Sequence, residues 1–442
     1  MTQLPRDRTI SLTSAALALG TALQVRDGLF NPIAVALLAV VVACAIGAFR
    51  CGIERSRFTL PILFGCVFLQ LGLLLTKFPG SDQGPKYWRD YCPFLGMMIA
   101  AIAMAMAAVR WTRAAFIALF AIYLIAGTWL LRTTPTPFMD VFVFQRDACV
   151  AVTNGMNPYA ITYPDLYGAK AANVYGEGLK ADGRLLFGFP YMPLTLWWNF
   201  SGHVAVGDYR YANLIAVALA ALMIAATNWS SGSILSATIL LFTPRGFFIV
   251  EQGWTEPLMV VLLAMTVISV GRFPRVLPYV FGLLLASKQY MALLIPIIPL
   301  LTDWRDWRFH VKAVASACIV TLPLALWNLG AFWNNAVVLQ FRQPFREDAL
   351  SFAAALSRAG SPKLHTGVAI VAALGVAVFC ASKLPRSAHS FALAVAITFL
   401  TFFALNKQAF ANYYFFVIAA LCCSIATAAQ SGTPRGAASA GS

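Results

Sequence analysis

Charge is what this sequence has least of. Lys, Arg, Asp and Glu together make up 11% of its 442 residues, against about a quarter in soluble domains, and this excludes an ordinary soluble fold. Acidic residues are the scarcer sign, 17 against 32 basic, for a net charge of +15. Histidines number four, at 203, 310, 365 and 389, too far apart to suggest a zinc motif. The nine cysteines contain no Cys-x-x-Cys pair and read as small core residues. A bridge between Cys92 and Cys149 is the one pairing left open. No internal repeat stands out, which argues against a repeat-built transporter.

What is present is hydrophobic. Apolar residues make up 60% of the chain. Runs of about 20 suffice to cross a bilayer, and roughly a dozen occur. The expectation is an all-α integral membrane protein of about 12–14 transmembrane or half-membrane helices. Its basic residues sit in short loops, as membrane topology requires, and do not point to nucleic acid. Anionic lipid phosphates are additional partners for them. The N-terminal stretch after Arg6 and Arg8 reads as an uncleaved first helix.

Helices are expected at 10–25, 31–49, 58–78, 91–109 and 112–131. Arg50, Arg55, Arg57, Arg110 and Arg113 then mark the cytoplasmic side, with the N-terminus. The loop 132–208 emerges on the other side. It is rich in turn residues and in tyrosines that suit a membrane interface. Segment 185–200 reads as re-entrant or juxtamembrane, because this keeps Arg272 and Arg275 inside after helices 209–227, 231–250 and 255–271. Segment 276–301 has Lys288 near its middle, an expensive place for a cation. Two half-helices meeting at Ser287–Lys288–Gln289 would relieve that. Helix 310–329 leads to a second outer loop, 330–366. Helices 367–382, 389–406 and 411–430 follow, then a polar tail, 431–442. This divides the chain into a four-helix extension (1–111) and a core (112–430).

Within loop 132–208, PFMDVFVFQRDACVAVTNGMNPY carries two carboxylates seven residues apart. On a helix, Asp140 and Asp147 would share a face about 10 Å apart along the axis. Asp140 suits either a helix cap or a catalytic carboxylate. Asp147, beside Arg146, suits a solvated ion pair or a supporting role. Glu251 and Glu256 flank Gln-Gly-Trp-Thr, and Glu256 suits the start of the next helix. Arg245 suits either a snorkelling side chain or a phosphate ligand. Lys288 needs an anionic partner from elsewhere in the chain. Gln289, Arg342, Arg346, Lys407, Gln408 and Tyr413 complete the polar groups expected on the outer half. Asp147, Glu251 and Glu256 are oxygen donors for a divalent cation, but so widely separated that no metal or other cofactor is called for.

The segments MDVFVFQRDACVAVTNGMNPYAI, FGFPYMPLTLWW, EQGWTEPL, LLASKQYMALLIPIIPLL and LNKQAFANYYFF, in that order, resemble the polytopic GT-C glycosyltransferases. The resemblance is to the bacterial polyprenyl-phosphate-dependent, mannosyltransferase-like group, and it covers about 112–430. It implies a GT-C-like core whose first outer loop holds juxtamembrane helices. It also implies a plasma-membrane enzyme with an outward-facing site that transfers mannose, another hexose or a pentose from a polyprenyl phosphate. The acceptor hydroxyl would belong to a lipid or a glycan, and the sugar configuration would invert. Asp140 matches the family's essential carboxylate and would be the general base. Arg245, Lys288, Arg342 and Lys407 would stabilise the leaving phosphate. The four helices before residue 112 depart from the family pattern. A transporter or flippase of lipid-linked sugar, a non-catalytic scaffold, and an oligosaccharide polymerase or ligase are the competing readings.

Overall fold

A computed structural model describes residues 7–52, 56–80, 88–107, 113–168, 174–176 and 178–428. Arg6, Arg55, Arg110, part of the long loop and the tail 431–442 lie outside the described residues. The chain is about 74% helical, so packing between helices, not strand pairing, carries the fold. Six described helices are long and apolar enough to cross a membrane, or seven if one bent pair counts as a span. Several present large apolar side chains outward, including Ile33, Ile319 and Val371. In water such surface is a liability, and in a bilayer it is the normal exterior. The architecture is that of an all-α, multi-pass membrane protein.

Helix α1 (Arg8–Arg26) starts where Asp7 accepts the Thr9 amide at 2.8 Å. Helix α2 (Pro32–Arg50) starts from Asn31, with Pro32 pre-set for the first turn. Between them the backbone reverses through Asp27 (φ 56°) and Gly28 (φ 75°). Helices α3 (Thr59–Thr76), α4 (Trp88–Ala107) and α5 (Arg113–Thr133) follow.

The first four helices are not a separate block. Leu12, Ala15, Ala16, Leu19 and Leu23, one face of α1, belong to the same buried core as Phe415–Ala426. Arg8 reaches the His389 ring at 3.1 Å. Gly28 lies so close to the C-terminal part that an added Cβ would collide with the Ala411 backbone. Gly28→Ala therefore meets both a clash and a left-handed backbone. It is expected to cost about 1–3 kcal/mol, read as a lower melting temperature in detergent.

After α5, Pro135 and Pro137 stop the helix, and α6 (Asp140–Thr153) begins three residues later. The loop beyond holds three two-residue strands, β1 (Tyr163–Pro164), β2 (Lys180–Ala181) and β3 (Arg184–Leu185). They form an antiparallel sheet in the order β1-β3-β2. Asp182 (φ 47°) and Gly183 (φ 72°) make the β2–β3 turn, a two-residue hairpin signature. The chain stays extended to Met192, and α7 (Pro193–Val206) follows, ended by Gly207. The helix thus starts later and ends later than 185–200. Pro190 and Pro193 explain the start, because a residue before proline avoids helical geometry. Helix α8 (Arg210–Ala226) leaves at 112° to α7, so the two do not form one straight span.

The expected helix 231–250 is broken. It consists of α9 (Ser231–Leu241) and α10 (Gly246–Glu251). Pro244, followed by Arg245 at φ 65°, interrupts it. Helix α11 (Glu256–Arg272) and α12 (Leu277–Ser287) come next. Lys288 is extended, and Gln289–Leu300 continues as a 3₁₀ segment containing Pro296 and Pro299. Two prolines without N–H groups account for the missing α-helical bonding. The element is thus broken at Lys288 into two short halves. Its start follows Arg272, which bonds the Thr227 carbonyl at 3.2 Å. Its end is at the same face of the bundle, where Arg386 bonds the Pro299 carbonyl at 3.0 Å. Only the tip around Lys288 reaches towards the opposite end.

Helix α13 (Trp307–Trp327) returns to that opposite end. The second long loop carries α14 (Leu329–Phe332), a π-helical turn (Trp333–Val338), α15 (Leu339–Arg342) and α16 (Phe352–Arg358). Helices α17 (Thr366–Lys383), α18 (Ala388–Leu405) and α19 (Ala411–Thr427) finish the fold.

Candidate active site

One cavity of about 520 Å³ opens where the two long loops, the α1–α2 turn and the Lys288 tip converge. Its carboxylate wall is held by a buried arginine. Arg210 donates to the carbonyls of Thr134, Pro135 and Glu251 at 2.8, 3.1 and 3.0 Å, and it pairs with Asp208. A planar fork with five donors suits such a bundle of carbonyls. It fixes the chain just before α6, and with it the position of Asp140.

Asp140 is the first residue of α6, and its half-buried side chain faces the cavity. One carboxylate oxygen accepts the Val141 amide at 2.8 Å, and the other accepts the Tyr175 hydroxyl at 2.9 Å. The Asp140 amide donates to the Tyr167 hydroxyl at 3.2 Å. Tyr167 and Tyr175 stack at 6.2 Å. Burial raises the carboxyl above its ordinary range, more than Tyr175, Val141, Tyr167 and the positive charge of Arg346 lower it. A raised value makes the ionised form a stronger base, in the direction catalysis near neutrality needs.

Tyr175→Phe removes a hydrogen bond to the ionised form, so the carboxyl rises further. In a reaction where Asp140 takes the proton, the acid limb of the rate–pH profile is then expected to move to higher pH than in the unsubstituted protein. A limb that stays in place or moves down would detach that limb from Asp140.

The same lining carries two cations, and each arrives with a carboxylate. Lys288 forms a buried ion pair with Glu256 and bonds the Thr255 hydroxyl at 3.2 Å. Its ammonium lies 5.9, 5.1 and 5.0 Å from the rings of Tyr191, Tyr290 and Tyr413. Rings and carboxylate together offset the cost of a cation at this depth. Arg346 grips Asp348 in a two-pronged pair at 2.8 and 2.7 Å and stacks on Phe410 at 5.1 Å. Gln289 lines the same cavity, anchored on the carbonyls of Pro190 and Ala336 at 3.3 and 2.6 Å. Gln408, Asn412 and Tyr413 are also in the lining.

Of the residues singled out from sequence, the cavity thus collects Asp140, Lys288, Gln289, Arg346, Gln408 and Tyr413. The others lie outside its lining. Asp147 pairs with the adjacent Arg146 at 2.8 Å. Arg245 is turned to Asp27 at 2.5 Å and to the Phe78 carbonyl at 2.7 Å. Arg342 is exposed. Lys407 gathers the carbonyls of Gln340, Phe341 and Gln343 and so staples the second loop. Glu251 is buried and accepts from Gln252. Glu256 sits behind Lys288. Asp147, Glu251 and Glu256 are not grouped, and among the described residues no three His, Cys, Asp or Glu side chains come together as a metal site. Cys149 is buried with Phe189 and Leu196, and no disulfide links it to Cys92.

The structure adds lining residues that the sequence reading passed over, including Asp27, Tyr167, Tyr175, Trp254 and Asp348. Asp27–Gly28 carried a signal, as a turn dipeptide beside an apolar run. Tyr167 and Tyr175 carried none beyond the aromatic content of the loop. No family model matches the chain, and no curated protein or solved structure is detectably similar to it.

Proposed function

We propose that this chain is a GT-C-type membrane glycosyltransferase that moves a hexose or pentose, mannose in the resemblance noted above, from a polyprenyl phosphate to an acceptor hydroxyl. The observation that carries the reading is the raised, half-buried Asp140 carboxylate facing a cavity that Lys288 and Arg346 also line. In the proposed step, the acceptor oxygen forms a bond to the anomeric carbon as its proton passes to Asp140. The bond from that carbon to the phosphate oxygen breaks, and the lipid phosphate leaves with the electron pair. One displacement inverts the carbon and needs one base. The phosphate needs no general acid, because nearby cations and hydrogen-bond donors stabilise its charge.

Lys288 and Arg346 being already paired is consistent with a site that waits for its anion. The carboxylates keep both cations satisfied in a low-polarity setting until a phosphate shares them. The donor would arrive laterally through the membrane, and 12–14 membrane or half-membrane helices around a GT-C-like core would shelter its lipid tail. The site would face outward from a bacterial plasma membrane, where polyprenyl-phosphate sugars and no nucleotide sugars are available.

One observation favours a second reading. A re-entrant element broken at a charged residue, here Lys288, is also a transporter device. A transporter or flippase of lipid-linked sugar needs two compartments, and a transferase does not. Purified protein in detergent with a labelled polyprenyl-phosphate sugar and an acceptor separates them, since only a transferase forms a new glycoside there.

A further inference from the structure

The α1–α2 turn forms a wall of the cavity, and its chemistry differs from that of the Asp140 and Lys288 walls. Asp27, Phe248 and Trp254 all belong to the lining. One oxygen of Asp27 takes both cations behind it, Lys77 at 2.6 Å and Arg245 at 2.5 Å. Arg245 is buried and stacks on Phe248 at 4.3 Å. Phe248 in turn meets Trp254 edge to face at 5.3 Å. The other oxygen of Asp27 makes no ion pair or hydrogen bond among the described residues, and the side chain keeps 22% of its exposure. The turn is held in place. The Phe30 amide donates to the Asp348 carbonyl at 2.8 Å, and Leu29 pairs antiparallel with Ala349.

We infer that Asp27, Phe248 and Trp254 form a subsite for a pyranose ring. The inference rests on the proposed glycosyl chemistry and names what this wall recognises. A pyranose has apolar ring faces and a rim of hydroxyl donors. The partly exposed Trp254 ring, backed by Phe248, serves the first, and a carboxylate oxygen fixed by cations from behind serves the second. An aromatic pair alone would suit a lipid chain, and a paired carboxylate alone would be structural. Their meeting at one cavity wall gives the carbohydrate signature. It also gives the four N-terminal helices a role in substrate recognition, since Asp27 belongs to their first turn.

The test is saturation-transfer NMR titration of the purified full chain in detergent with methyl α-D-mannopyranoside, and with cyclohexanol as a ring without the hydroxyl rim. The unsubstituted protein is expected to bind the glycoside saturably and to prefer it to cyclohexanol. Asp27→Asn and Trp254→Leu are each expected to weaken binding at least about tenfold, the scale of one hydrogen bond to a charged group. Asp27→Asn strips the carboxylate from Arg245, so Trp254→Leu, which leaves the ion pairs intact, carries the test if the first variant does not fold. Added polyprenyl-phosphate mannose displaces the glycoside if the subsite holds the donor's sugar. If both bind together, the subsite holds the acceptor's sugar. Absence of saturable binding, equal preference for cyclohexanol, or unchanged binding in both variants would overturn the subsite. Binding is read without turnover, so a failure of glycosyl transfer is separately visible.

Discussion

Asparagine at position 140 is expected to lower glycosyl transfer by about 10²–10⁴-fold, the usual worth of a positioned base, without loss of fold. The substitution keeps the shape of the side chain and leaves one oxygen to accept from the Val141 amide, while its NH2 group faces the Tyr175 hydroxyl, which can turn to accept from it. It removes the capacity to take a proton and exchanges one acceptor oxygen for a donor. The stability change has a definite sign. The folded carboxyl titrates above its unfolded value, about 3.9, because burial penalises its charge. The native state therefore holds that proton more tightly than the unfolded chain. Stability falls as pH rises through the window between the two values, and above it the ionised group is a net cost. Asp140→Asn removes that cost. At neutral pH its melting temperature is expected to equal or exceed that of the unsubstituted protein while transfer collapses. A residue serving only the fold would show the reverse, activity retained and stability lost.

Lys288→Met is expected to be the most destabilising of the substitutions considered. Glu256 is fully buried and Lys288 nearly so. Removing the lysine strands a carboxylate where water does not reach it, at a cost of about 3–5 kcal/mol. The hydroxyl of Tyr290, 3.2 Å from Glu256, offsets only part of that. Adding Glu256→Gln removes the stranded charge, and most of the lost stability is expected to return in the double variant. Transfer is not, because the cation for the leaving phosphate remains absent. Thermal unfolding in detergent and transfer assays on the two single variants and the double variant separate the effects. Recovery of both stability and transfer would reduce the pair to a structural role and remove Lys288 from the site.

These two residues also mark how far the sequence could be read. Lys288 was conspicuous because a cation sat deep in an apolar stretch, and the cost of that placement demanded a break and a partner. The break lies where that reasoning set it, at residues 287–289. The partner, Glu256, could not be chosen from sequence, since several carboxylates were equally available and only packing of α11 against the Lys288 tip brings this one close. Asp140 was conspicuous for a similar reason, yet the tyrosines that bind it come from an irregular loop with no periodic signal. Arg245 shows the opposite case. Its sequence position beside Pro244 suited either a snorkelling side chain or a phosphate ligand, but the left-handed turn there aims it at Asp27 and the Phe78 carbonyl. Side-chain direction at such a break depends on a single backbone torsion, which composition and spacing do not reveal. The N-terminal helices looked separable because their loops are short and their polar groups few. Gly28 against Ala411 and Arg8 against His389 join them to the rest through contacts between opposite ends of the chain.

The central claim is that this cavity moves a sugar from a lipid phosphate, and its most direct measurement follows the sugar. Purified protein in detergent micelles, given polyprenyl phosphate carrying a labelled mannose and a glycan acceptor, is predicted to transfer label to the acceptor with inverted configuration and to release free polyprenyl phosphate. Label that remains on the lipid in micelles, while the same protein in vesicles moves the labelled lipid between leaflets, would contradict the account and establish transport instead.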